Sequence, residues 1–418
     1  LAYGAHLLPR GSHGSLWKLL DPVPTHRVDL PFDAFVASLE DEITKTQDTL
    51  VPGAHEDRAV LVVVSRATGD ELADIVSEFT ALAEAAFVTV VDTVIQRRPK
   101  PDPRYVIGKG KVNELSLRAL AADANLLVFD QELTPSQARS ISEVADMRVI
   151  DRTQLILDIF ARRARSREGK IQVELAQLRY NMSRLVGKNP FLSRLAGGIG
   201  TRGPGETKLE IDRRRAKERM DRLEREARKI GLKRKLTRAR RSRQHLPVIS
   251  IIGYTNTGKS TLLNTLTKSS VFTADMPFAT LDPSSKRLRF PRDIEVVVTD
   301  TVGFIRDLPQ DLKAAFSATL EELADASLLL EVIDLTDPHI EKRMEAVEEI
   351  LKGLDLHAKP RLKVFNKADR VSPELARSWA GRYGGVAVSA LERSTLAPLI
   401  ERMEGYFLTS GPVKGLHP

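Results

Sequence analysis

Gly253-Tyr254-Thr255-Asn256-Thr257-Gly258-Lys259-Ser260 is the stretch that decides the reading of this chain. It follows the apolar run 247–252, and Thr261 opens a helical pattern over 261–266. A buried strand, a loop spaced G-x-x-x-x-G-K-S and a helix are the parts of a phosphate-binding P-loop. Backbone N–H groups of such a loop wrap phosphates, and the Lys259 ammonium reaches the β and γ oxygens. The Ser260 hydroxyl is the expected Mg²⁺ ligand. The fold expected here is a P-loop α/β domain, within an α/β multidomain chain.

Motifs further along choose the base. A β run over 294–299 ends in Asp300-Thr301-Val302-Gly303, a D-x-x-G pattern. Asp300 is expected to hold Mg²⁺ through water, and the Gly303 N–H to face the γ-phosphate. A second β run ends in Asn366-Lys367-Ala368-Asp369, an N-K-x-D pattern. A carboxylate at Asp369 accepts hydrogen bonds from N1–H and the exocyclic amine of guanine, and adenine lacks that donor pair. Ser389-Ala390 suits the last guanine-contacting turn. The expected ligands are therefore GTP and GDP. Between the P-loop and Asp300 lies Pro277-Phe278-Ala279-Thr280-Leu281-Asp282-Pro283, read as a movable switch segment. Thr280 is expected to ligate Mg²⁺ and to sense the γ-phosphate, with Thr273 as the alternative. Lys259, Thr280 and Gly303 form the expected catalytic set. Phe304 stands where many GTPases place a water-orienting glutamine, so slow intrinsic hydrolysis is expected. Asn256 is compatible with a K⁺ ion beside the phosphates or with simple capping of the loop.

Upstream of the P-loop the charge is uneven. The chain carries +8 overall, yet residues 161–245 hold 27 Lys+Arg against 9 Asp+Glu, a net of +18, leaving −10 on the remainder. Such a block predicts a polyanion-facing element, nucleic acid first. Ile171, Leu175, Leu178, Met182 and Leu185 recur at helical steps, as do Leu209, Met220, Leu223, Ala227 and Ile230. Between the two runs, Ala196-Gly197-Gly198-Ile199-Gly200-Thr201-Arg202-Gly203-Pro204-Gly205-Glu206 breaks any helix. Residues 161–246 thus read as a long basic helical hairpin with a glycine-rich tip. Gly197, Gly198, Gly200, Gly203 and Gly205 let backbone approach a surface closely. Arg202, with Arg213, Arg214 and Arg215 on the arm, would meet phosphates.

Residues 58–160 alternate strand and helix signals, beginning with the apolar run 59–64, and predict a small parallel α/β domain. Ile107-Gly108-Lys109-Gly110-Lys111 before a helix is either a weak anion site for a second nucleotide or turn chemistry. Residues 1–57 read as an N-terminal extension, and 1–15 are set aside because Leu8-Pro9-Arg10-Gly11-Ser12-His13 reads equally as a vector-derived cleavage linker, with one mismatch, or as native sequence. Residues 247–408 are the nucleotide-binding domain and 409–418 a tail. With 418 residues, 42% hydrophobic and 29% charged, the chain is of globular composition. No apolar run reaches the ~18–20 residues of a membrane span, so no membrane insertion is expected. The absence of cysteine excludes disulfides, thiolate metal sites and a cysteine nucleophile.

The P-loop, the switch segment 278–283, Asp300-Thr301-Val302-Gly303-Phe304-Ile305-Arg306-Asp307-Leu308-Pro309, the glycine-rich tip and Tyr105-Val106-Ile107-Gly108-Lys109-Gly110-Lys111 together resemble the HflX-type GTPases. The resemblance covers roughly 58–408. It implies a cytoplasmic, monomeric, stress-related GTPase that binds the large ribosomal subunit and rRNA and splits ribosomes. It places the hairpin tip near the peptidyl-transferase region and implies ATP binding by the N-terminal domain. Thr257, where alanine is common in that family, and the 16–57 extension are departures. A large-subunit assembly GTPase, or an RNA-binding protein stabilised by nucleotide, are the alternatives.

Overall fold

A computed structural model describes residues 5–7, 17–19, 21–22, 24, 57–185, 204–243, 246–268, 277–278, 284–301, 303–304 and 323–409. Residues 1–56 form one unit, in which β1 (Ala5–Leu7) pairs antiparallel with β2 (Trp17–Leu19). The helical pattern expected near 32–46 lies outside the described residues. Residues 57–418 form the second unit.

That unit starts with a four-stranded sheet. β3 (Arg58–Ser65), β4 (Thr89–Arg97), β5 (Leu126–Phe129) and β6 (Arg148–Asp151) lie in the order β4-β3-β5-β6, all parallel. Helices must cross over between parallel strands. They are α1 (Gly69–Ala85), α2 (Lys109–Ala121) and α3 (Pro135–Ala145), with α4 (Arg152–Arg163) leaving β6. β3 and β5 are buried on both faces, which explains their unbroken apolar runs. Thr134 and Gln137 cap α3 reciprocally, with Pro135 at its first position.

Two helices follow. α5 (Arg167–Leu185) and α6 (Pro204–Arg243) pack through Ile171, Leu175 and Leu223, with Leu178, Met220, Ala227 and Ile230 around them. Ion pairs Arg167–Glu226 and Glu174–Arg219 advance seven residues along α5 while receding seven along α6, so the helices run antiparallel. One expectation needs correcting: α6 begins at Pro204, which puts Gly205 in its first turn rather than in the tip. Proline's fixed φ suits the first helical position, which is why the break ends there. Gly197, Gly198, Gly200, Arg202 and Gly203 lie outside the described residues.

The last domain has a six-stranded sheet in the order β12-β11-β10-β7-β9-β8. The strands are β7 (Val248–Ile252), β8 (Ser284–Arg289), β9 (Glu295–Asp300), β10 (Leu328–Asp334), β11 (Arg361–Asn366) and β12 (Val386–Ala387). All pairs are parallel except β8 with β9. Helices α7 (Lys259–Thr267), α8 (Ile340–Gly353), α9 (Pro373–Arg382) and α10 (Ala397–Thr409) complete it. β7 is central, so the loop leaving its carboxyl end sits at the crevice where such sheets bind ligands.

Candidate nucleotide site and basic hairpin

The loop between β7 and α7 is shaped by its glycines. Gly258 has φ +89°, and a Cβ there would lie 2.3 Å from Asn366 Nδ2. Gly253 has φ +143°, and a Cβ would strike the Val332 carbonyl oxygen. Asn256, exposed at the apex, takes φ +61°, a conformation asparagine tolerates. Its left-handed backbone is reason enough for asparagine, without an ion.

Behind the loop, Asn366 Nδ2 donates to the Thr257 carbonyl (2.8 Å), while its Oδ1 accepts from Ala390 N–H (2.8 Å). One buried amide therefore ties the P-loop to the Ser389-Ala390 turn. Lys367, at φ +62°, pairs with Asp334 (2.6 Å). Asp369 is exposed just beyond, at the carboxyl end of β11.

Lys259 is buried, and its Nζ donates to the Tyr254 carbonyl (2.5 Å), as does Thr257 Oγ1 (3.1 Å). Burial lowers the ammonium pKa to about 8, with the Asp300 charge opposing that shift. The lysine is poised for a phosphate to replace a neutral carbonyl as its partner. Ser260 Oγ donates to Asp300 Oδ2 at 2.5 Å, so the two expected metal ligands already face one another. A Cβ on Gly303 would lie 3.0 Å from Lys259 Nζ and 2.9 Å from Thr255 Cα, so D-x-x-G runs hard against the P-loop. Thr261 lies in the first turn of α7. Thr280, its alternative Thr273, and Val302 lie outside the described residues.

Phe304 is a core residue. Its backbone bridges the P-loop (Thr255 N–H to Phe304 carbonyl, 2.8 Å; Phe304 N–H to Gly253 carbonyl, 3.0 Å). Its ring packs with Ile252, Leu323 and Leu329. Apolar packing accounts for phenylalanine at the position where many GTPases carry a glutamine.

Two contacts with the N-terminal domain have no counterpart in the sequence patterns. Phe278, at φ +56°, is buried in the N-terminal core, edge-on to Phe160 with ring centroids 4.8 Å apart. Tyr254 sends its hydroxyl to Glu78 on α1 (2.6 Å). Glu78 lies 176 residues before Tyr254, beyond the reach of any local pattern.

In the N-terminal domain, Gly108 precedes α2 at φ +85°, and Lys111 is engaged with Glu114 (2.6 Å). Arg213, Arg214 and Arg215 are exposed on α6. Near its carboxyl end α5 is tied to the N-terminal domain by the buried Asp151, which accepts from Leu133 N–H (2.9 Å), Gln154 N–H (3.0 Å), Tyr180 Oη (2.5 Å) and Arg184 (2.5 Å). Burial pushes the Tyr180 hydroxyl pKa up, and the Asp151 charge adds to it, so that tyrosine remains a donor. Among the described residues no helix is long and apolar enough to cross a membrane.

Family models match along the chain in series: GTP-binding GTPase N-terminal over 73–161, GTP-binding GTPase Middle Region over 163–241, and 50S ribosome-binding GTPase over 248–367. The GTPase HflX of Caldanaerobacter subterraneus is 44% identical, with 84% of this chain and 80% of that protein covered. The GTPase HflX of Escherichia coli is 42% identical over 83% and 82%. Among solved structures, a GTP-binding protein from Sulfolobus solfataricus in complex with GDP is 23% identical, with 83% of this chain and 98% of that one covered and a TM-score of 0.43. Identity above 40% over about four-fifths of both HflX relatives, through all three regions, settles the kinship: this chain belongs to the HflX family of GTPases.

Proposed function

We propose that this GTPase binds the large ribosomal subunit through its basic hairpin, in a GTP-dependent manner, and splits assembled ribosomes in the cytoplasm as a monomer. The observation that carries the reading is the concentration of net +18 charge on 161–245, joined directly to a guanine-type nucleotide domain. Arg213, Arg214 and Arg215 stand exposed on that segment, available to phosphates. The glycines of the tip, with Arg202, would approach rRNA most closely.

The donor set at the nucleotide is oxygen only. Ser260 Oγ and Asp300 carboxylate oxygens, with Thr280 as a further ligand, fit Mg²⁺. When bound, that ion would offset the negative charge of the phosphates. Lys259 would move from the Tyr254 carbonyl to the β and γ oxygens, and the Gly303 N–H would meet the γ-phosphate. Backbone groups from Gly253 to Thr261 would cradle the phosphates, with Asn366, Lys367, Asp369, Ser389 and Ala390 shaping the site; Phe278, expected at the nucleotide, is instead committed to the N-terminal core. GTP would favour the state in which the hairpin holds rRNA, and hydrolysis would release it. K⁺ beside Asn256 is tested by turnover in potassium against sodium buffer. ATP at Gly108–Lys111 is tested by labelled-ATP binding to a Lys109→Ala, Lys111→Ala variant.

Sedimentation of intact ribosomes with the protein decides the main reading. Free subunits are expected with GTP and with a nonhydrolysable analogue, and few with GDP. Binding confined to immature large subunits would instead mark an assembly factor. RNA affinity indifferent to nucleotide and to substitution of Lys259 would mark a nucleotide-stabilised RNA-binding protein.

A further inference from the structure

Tyr254 directly follows the first glycine of the P-loop, and the residue is 5% exposed. Its two ends face different partners. The main-chain carbonyl holds Lys259 Nζ, whereas the hydroxyl donates to Glu78 on α1 of the N-terminal domain. The Arg343 guanidinium, from α8, lies 4.4 Å from the ring centroid. Arg343 also donates to Glu78 (2.9 Å), Asp74 (2.6 Å) and Asp337 (3.1 Å). On the N-terminal side Arg152 binds the other Glu78 oxygen and Asp130. The Glu78 and Arg152 side chains are only 7% and 6% exposed. Burial pulls both guanidiniums down, but the surrounding negative charges outweigh it, and both remain charged.

Buried charge pairs of this kind add little net stability against apolar packing, and their attested use is to fix one geometry. The geometry fixed here is that of the phosphate loop. Glu78 cannot move without releasing Tyr254, and Tyr254 carries the carbonyl on which the P-loop lysine rests.

We propose that Glu78 and Arg343 are positioning residues for the nucleotide site: by clasping Tyr254 they hold the P-loop in its phosphate-accepting shape, so the docked N-terminal domain sets how long a guanine nucleotide stays bound. The assignment stands on the GTPase site alone and does not require ribosome splitting. Binding couplings are reciprocal, so nucleotide must in turn steady α1.

The test uses the full chain without ribosomes and fluorescent GDP as probe. Tyr254→Phe removes one hydroxyl and keeps the ring. Its nucleotide release is expected to accelerate about threefold to tenfold, or ~0.6–1.4 kcal/mol, a part of the ~1.5–3 kcal/mol that a hydrogen bond to a charged group is worth. Glu78→Gln should accelerate release as well, and the double variant no more than the larger single one. Nucleotide should slow amide exchange around Glu78 in the unaltered protein and lose that influence in Tyr254→Phe. A merely structural clasp would lower the melting temperature of the variants while leaving release and the exchange response unchanged, and that result overturns the proposal. Strictly additive effects overturn it too. If Glu78→Gln fails to fold, Tyr254→Phe and its exchange response carry the test. Failure to bind guanine nucleotide at all would indict the site itself, not the clasp.

Discussion

At the scale of single residues, the nucleotide site is governed by close approach. Gly258 adopts a left-handed backbone and leaves no room for a Cβ beside Asn366. Gly258→Ala therefore incurs ~1–2 kcal/mol of backbone strain and drives Asn366 from the Thr257 carbonyl. Guanine-nucleotide affinity is expected to fall at least about tenfold, measured by calorimetry. Asp369 is tested by exchanging its carboxylate for an amide. Asp369→Asn presents one acceptor and one donor, which suits the N1–H and 2-oxo group of xanthine. Two hydrogen bonds to a charged group at ~1.5–3 kcal/mol each predict a loss of guanine affinity of ~10² or more, with a gain for xanthosine nucleotides. Equal affinity for guanine after that change would remove Asp369 from the base site. These residues were legible because they are consecutive in the chain at fixed spacing, and the backbone between them has one workable path. Glu78, Arg343 and the burial of Phe304 were not, because each depends on a neighbour distant in sequence.

At the scale of elements, the hairpin and the central sheet make separate predictions. Converting Arg213, Arg214 and Arg215 together to Gln should weaken large-subunit binding and flatten its salt dependence. The log–log slope should drop by about 2–3, at ~0.7–0.9 for each phosphate no longer neutralised, as measured by cosedimentation at several salt concentrations. In the sheet, Glu331 interrupts the apolar run 328–333 of β10 at 1% exposure, and its Oε2 makes no hydrogen bond, with Arg361 Nη1 3.8 Å away. Burial raises its pKa, with Lys363 and Arg361 opposing. A carboxyl raised in the folded state is easier to keep protonated there than in the unfolded chain. Its cost is absent in acid, below the unfolded pKa, and is complete once pH exceeds the folded value. Glu331→Gln is thus expected to stabilise the domain at pH 7, with the gain vanishing in acid, by urea titration across pH. The helical repeats of α5 and α6 and the doubly buried strands were readable, since a period of 3.6 or a continuous apolar run is local. The antiparallel edge strand β8 was not: its Ser-Ser-Lys-Arg-Leu-Arg sequence is too polar to announce a strand, and pairing with β9 supplies what its own pattern does not.

At the scale of the whole molecule, the second unit is joined by contacts no periodicity could reveal. Phe278 leaves the nucleotide domain to pack in the N-terminal core against Phe160. Phe278→Ala should cost ~3–5 kcal/mol in denaturant unfolding and loosen amide exchange in α4 as well as in the nucleotide domain. An effect confined to the nucleotide domain would show that the ring does not bind the two together. Three successive regions and a charged prong could be drawn from the sequence, but not how they grip one another. One such grip has a mechanical meaning. Asp151 ends β6, caps α4 and takes Tyr180 and Arg184 of α5, so a single carboxylate anchors the prong to the sheet behind it. The 40 residues of α6 span about 60 Å. Because Asp151 takes α5 near its carboxyl end, and α5 is clamped to α6 by Arg167–Glu226 and Glu174–Arg219, a pull on that long arm would be passed through α5 to the strand behind it.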